Sequence, residues 1–135
     1  MIEMTSVLPV LDDVSKPFFE AAKQGKLLIQ RDPVTRKPQM YPRAHVMGAI
    51  DRKPEWVEAS GKGKLHSYTV VHRSVHREFA SMTPFIIAIV DLDEGVRLTS
   101  WIVDMPAEAL ACDMPVKVVF REVQPGVTMP CFTGA

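Results

Sequence analysis

Eleven prolines fall among 135 residues, and no other property limits the folds open to this chain so strongly. Each one fixes φ and removes a backbone donor, so long uninterrupted helices are excluded. Short strands joined by punctuated loops are what remains. An apolar share of 47% with 24% charged residues is enough for one hydrophobic core. The length suits one domain, or a compact barrel with a small appendage.

The strand signals lie from Trp56 onward. Gly61-Lys62-Gly63 marks a bend or bulge, and Lys64 to Val71 has β-branched and aromatic content. The run Phe85 to Val90 is apolar on both faces, as a central barrel strand should be. Asp93-Glu94-Gly95 turns it into a second strand over residues 97–103. Pro106 to Leu110 reads as a helical turn with Asp104 available as its cap. Val116, Val118 and Phe120 alternate with Lys117, Val119 and Arg121 on a final strand. The pattern predicts a mainly β chain folded as a closed Greek-key barrel of the OB type over residues 57–135; a β-sandwich is the alternative.

The first 56 residues differ. Residues 1–14 read as a loosely held arm. A helix follows, with Ser15 as N-cap, Pro17 in its first turn and Gly25 as its stop. Leu27-Leu28-Ile29 predicts a strand. The polar, proline-rich stretch from Arg31 to Arg43 has little to bury.

Formal charge is zero but unevenly spread: residues 1–79 hold 13 Lys/Arg against 9 Asp/Glu, and residues 80–135 hold 3 against 7. That split fits an anionic ligand on the basic part, or plain scatter on a solvated surface. Cys112 and Cys131 are too few for a disulfide framework and lack metal-ligand spacing, which suits a reducing, cytoplasmic setting. Val7 to Leu11 is too short for a signal peptide, and the longest apolar run is far short of a membrane span.

Catalytic chemistry is hard to assemble from these residues. His66, His72 and His76 share parity along a strand. His66 and His72 nevertheless stand about 20 Å apart at roughly 3.3 Å per residue, too far for one zinc ion. Asp113 beside Cys112 would raise a thiol pKa rather than lower it. No Gly-x-Ser-x-Gly, Walker-type or Gly-x-Gly-x-x-Gly element appears. His72, Arg73 and Arg77 could grip phosphates or simply sit on a solvated loop. Single-stranded nucleic acid is the alternative ligand of an OB barrel, although net neutrality removes the usual electrostatic drive.

Several stretches, in order, resemble the DUF35 family: Pro17 to Leu27, Tyr41-Pro42-Arg43, Gly61 to Arg73, Pro84-Phe85 through Leu98, and Met114 to Phe120. The resemblance implies an N-terminal helix, a rubredoxin-like zinc ribbon and a C-terminal OB-fold. It also implies a non-catalytic accessory protein of acyl-CoA metabolism, partnered with a thiolase-like, aldolase or hydratase enzyme or assembled as a homo-oligomer. Its ligand would be a CoA thioester, with Arg43, Lys64, His72 and Arg73 as the basic groups to test. One departure stands out. Where the family's ribbon carries two Cys-x-x-Cys knuckles, this chain has Asp32 and Thr35, then Val46 and Ala49. The ribbon is therefore expected to be degenerate and free of metal, held by packing of Leu28, Met40, Tyr41, Val46 and Met47 or else mobile until bound. Asp113 also stands where glycine usually precedes Met-Pro-Val.

Overall fold

The computed structural model describes residues 10–135; residues 1–9 of the expected arm lie outside them. Helix α1 spans Lys16–Lys23, opened by Pro17 and followed by Gly25 at φ +74°. Ser15 is the N-cap residue, but its hydroxyl caps nothing. It donates to Asp12 Oδ1 at 2.8 Å, as does its own N–H. The turn before the helix is thus organised by Asp12. Phe18, Ala21 and Ala22 form the buried side of α1, and Phe18 meets Phe19 edge to face at 5.2 Å.

Strands β1 (Leu28–Arg31), β2 (Pro38–Gln39) and β3 (Glu55–Glu58) form a small antiparallel sheet in the order β2-β1-β3. The pairing of β1 with β3 runs from Arg31↔Glu55 to Leu28↔Glu58. A second sheet follows: β4 (Lys62–Val71), β5 (Phe85–Leu92), β6 (Arg97–Ile102), β7 (Pro115–Gln124) and β8 (Val127–Gly134) close in the order β4-β5-β6-β8-β7. Only the β6–β8 pairing is parallel. This is the five-stranded closed barrel expected of an OB-fold.

Leu65, Val90, Val116 and Phe132 fill the barrel, each fully buried, and the same apolar cluster takes in Phe18, Leu27 and Ile29. One core therefore reaches under both sheets. Two glycines on β4 and just before it are required by close approach. A Cβ on Gly61 would collide with Val118, and one on Gly63 with the Asp91 carbonyl. The bulge itself falls later, between Leu65 and Ser67, where the extra residue is His66.

Three further expectations need correction. Phe85 to Val90 is not buried on both faces: Ile86, Ala88 and Val90 point inward, while Phe85, Ile87 and Ile89 are only partly covered. Asp104 does not cap the short 3₁₀ turn at Ala107–Ala109; it adopts φ +61° and pairs with Arg121. The strand through Val116, Val118 and Phe120 is not the last of the barrel, since β8 follows it. Pro130 and Cys131 sit inside β8, and proline argues against a strand interior.

Candidate functional site

Two turns face each other beside the barrel. The first links β1 to β2. Asp32 N–H donates to Lys37 O at 2.9 Å, and Arg36, at φ +66°, donates to Asp32 O at 2.9 Å. The second runs from Val46 to Arg52, where Ala49 donates to Val46 O and Arg52 to Ala49 O, each at 3.0 Å. An isolated bridge pairs Val46 with Ala49.

The turns are cross-linked by charge. The Arg52 guanidinium donates Nε to Asp32 Oδ1 at 3.1 Å and Nη2 to Asp32 Oδ2 at 2.5 Å. The same carboxylate accepts from Val34 N–H and from the Thr35 hydroxyl, both at 2.9 Å. Its side chain is only 3% exposed. Hydrogen bonding from Arg52 holds the Asp32 carboxyl far below the usual carboxylate range, and the carboxylate in turn raises Arg52. Such fork-to-fork pairing fixes geometry as well as charge.

Buried amides do the rest. Gln39 Nε2 donates to Gln30 Oε1 at 2.9 Å, while Gln30 Nε2 donates to Arg43 O and Arg43 N–H returns to Gln30 Oε1. Met47 N–H donates to Gln39 Oε1 at 2.9 Å. Of the five residues expected to pack this segment, Val46 is buried and Leu28 and Met40 are partly buried, whereas Tyr41 and Met47 are exposed. Order in the loop therefore comes from polar groups. Sequence reasoning missed Gln30 and Gln39, because an isolated glutamine carries no pattern.

Asp32, Thr35, Val46 and Ala49, the positions that correspond to ribbon cysteines in the family resemblance, all line one cavity of about 590 Å³. This donor set does not suit zinc. A closed structural site takes four N, S or O ligands; here Asp32 is committed to Arg52, and Val46 and Ala49 have no ligating atom. Among the described residues no three His, Cys, Asp or Glu side chains gather as a metal site.

The four expected CoA-binding residues are spread out. Arg43 lies in the loop after β2, beside a shallow pocket with Lys53 and Trp56. Lys64 is exposed near the start of β4, while His72 and Arg73 are exposed just past its end. Along a straight strand, Lys64 and His72 would be about 26 Å apart. The histidines also go separate ways. His66 Nδ1 lies 3.3 Å from Asp91 Oδ2, and Arg97 Nε donates to Asp91 Oδ1 at 2.6 Å. His76 Nδ1 accepts from Glu78 N–H at the start of the one-turn helix α2 (Arg77–Ala80). Burial pushes the Cys131 thiol up, so it stays protonated, and Cys112 is exposed. No helix among the described residues is long and apolar enough to cross a membrane.

The family model described as "ChsH2, C-terminal OB-fold domain" matches residues 56–121. Over 129 residues, 94% of this chain, there is 34% identity to a probable enoyl-CoA hydratase alpha subunit of Thermomonospora curvata, and the match spans 39% of that protein. A DUF35 domain-containing scaffold protein of Methanocaldococcus jannaschii is 37% identical over 62% of this chain and 60% of its own length. The chain thus spans less than two thirds of these curated relatives. A solved chain of an Ltp2-ChsH2(DUF35) aldolase is similar throughout, with a TM-score of 0.84 and 31% identity, covering 94% of this chain and 98% of that one.

Proposed function

This chain belongs to the DUF35 family, and from that premise we propose that it is a non-catalytic accessory protein of acyl-CoA metabolism. Its partner would be a thiolase-like, aldolase or hydratase enzyme, and its ligand a CoA thioester handled jointly with that enzyme. The observation that carries this reading is the likeness to the Ltp2-ChsH2(DUF35) aldolase chain over almost the whole of both molecules. The name of the Thermomonospora curvata relative supports the same area of metabolism.

The local chemistry agrees with a holding role. A protonated, buried Cys131 is a poor nucleophile. His66 and Asp91 lie on the outer side of the barrel with Arg97 beside them, an arrangement the folded surface accounts for. Arg43, Lys64, His72 and Arg73 remain the proposed contacts to the anionic ligand. Being exposed and dispersed, they would converge on one CoA only with surfaces that the enzyme supplies. The ribbon is proposed to work without zinc, its two turns joined by the Asp32–Arg52 pair. Single-stranded nucleic acid is the second reading. It has the tilted cluster of Phe79, Phe85 and Trp101 in its favour, but those rings pack on one another at 5.8–6.3 Å between centroids and so offer fewer faces to bases.

The test is co-purification followed by turnover. A tagged full-length chain should bring down a thiolase-, aldolase- or hydratase-type protein, and should release no product from acyl-CoA thioesters by itself. Alanine at both Arg43 and Arg73 should weaken CoA-ester binding by the assembled complex at least tenfold. Steady product formation by the chain alone would overturn the reading.

A further inference from the structure

The cavity between the two turns opens against the outer side of β5 and β6. Met40, Met47, Val46 and Pro38 wall it on one side, Ile89 and Val96 on the other. Tyr41 closes one flank, its hydroxyl accepting from Thr99 N–H at 2.9 Å. At Gly48 the wall is open, since a Cβ there would meet nothing within 4 Å. The volume of about 590 Å³ falls within the roughly 300–1,000 Å³ of small-molecule sites, and methionine walls adapt to the shape of an apolar guest.

Charge at this cavity is only partly compensated. Arg52 is paired with Asp32 and Arg97 with Asp91, and Lys37 lines the cavity beside them. The Lys37 ammonium forms no ion pair among the described residues. Asp91 accepts from Nε of Arg97, and His66 Nδ1 lies 3.4 Å from its Nη2, which orients the guanidinium and leaves Nη1 for another acceptor. Apolar walls beside an unpaired ammonium and a guanidinium with donors to spare suit an apolar chain that carries an anionic head.

We propose that this cavity is a binding site for such a ligand, with the chain among Met40, Met47 and Val96 and the head held by Lys37 and Arg97. A fatty-acyl carboxylate and the phosphate-bearing pantetheine arm of CoA share this chemistry. The proposal rests on the acyl-CoA reading and places part of its ligand on this chain, without the enzyme.

Isothermal titration of the full-length chain with octanoate, with 4′-phosphopantetheine and with neutral octanol tests it. Saturable binding of octanoate or 4′-phosphopantetheine, at least tenfold tighter than octanol, is expected; whichever anion binds identifies the source. Lys37→Ala combined with Arg97→Ala should weaken the anion tenfold or more and leave octanol unchanged. Ala49→Phe should block all three. If that variant does not fold, the surface double variant decides alone. Absence of saturable binding by either anion, or anion binding indifferent to the double variant, overturns the site. Co-purification with an enzyme would stand regardless, so the two failures are distinguishable.

Discussion

Fully buried hydrocarbon holds the barrel, with Leu65, Val90, Val116 and Phe132 at its centre, and reaches under the small sheet through Leu27 and Ile29, whereas the two turns beside that sheet depend on the buried polar groups Gln30, Asp32 and Gln39. Apolar burial is non-directional and shared by many neighbours, so the barrel should unfold as a unit. Hydrogen bonds and ion pairs act locally and demand geometry, so the turns should open alone at lower cost. One chain thus combines a rigid platform with a separately specified edge, and the proposed ligand cavity lies between the two.

The largest effect should come from the barrel. Phe132 is fully buried and pairs across both β6 and β7. Phe132→Ala should cost about 3–5 kcal/mol, a large fraction of the roughly 5–15 kcal/mol typical of a domain. Urea unfolding followed at Trp56, on the small sheet, and at Trp101, on the barrel, should shift together. A shift confined to Trp101 would break the idea that the barrel carries both sheets.

The ion pair should behave in the opposite way. Arg52→Ala leaves the Asp32 carboxylate buried without its cation. Amide exchange at Val34, Arg36 and Ala49 should then quicken at least tenfold while Val90 and Leu98 stay protected. The pH dependence has a definite sign. Because the Asp32 pKa is depressed in the folded chain, its contribution is fully present above the unfolded value near 3.9 and is lost as pH falls through the folded one. Protection in the turns, corrected for intrinsic exchange, should stay level from neutral pH to about pH 4 and decline only below. In Arg52→Ala the decline should begin at higher pH. Equal loss of protection across both sheets would dissolve the distinction drawn here.

Legibility in the sequence followed the same division. The barrel was readable because β-branched and aromatic content marks β4, a continuous apolar run marks β5 and period-2 alternation marks β7, and only β8 escaped, through Pro130. Helix α1 was readable from Pro17 and Gly25. The turns were not, beyond the absence of ribbon cysteines. Arg52 lies 20 residues from Asp32, and no local rule pairs a carboxylate with one of several arginines at that distance. The cavity was equally hidden, since Lys37 and Arg97 come together only after the barrel's outer face meets the turn.

The smallest expected effect concerns Asp113, where the family resemblance leads one to expect a glycine. Its φ is +68°, and its N–H donates to Leu65 O at 2.7 Å, fastening the approach to β7 onto β4. Aspartate is among the few residues that enter the left-handed region readily, so the turn keeps the form a glycine would give it. Asp113→Gly removes the remaining strain but loosens the unfolded chain by a similar amount, and the midpoint should move by less than about 1 kcal/mol. Asp113→Val has no such offset. A β-branched side chain at this φ should cost about 1–2 kcal/mol. Because the bond it disturbs belongs to the barrel, that loss should appear in the global urea midpoint and leave exchange in the Asp32 turn unchanged relative to the rest.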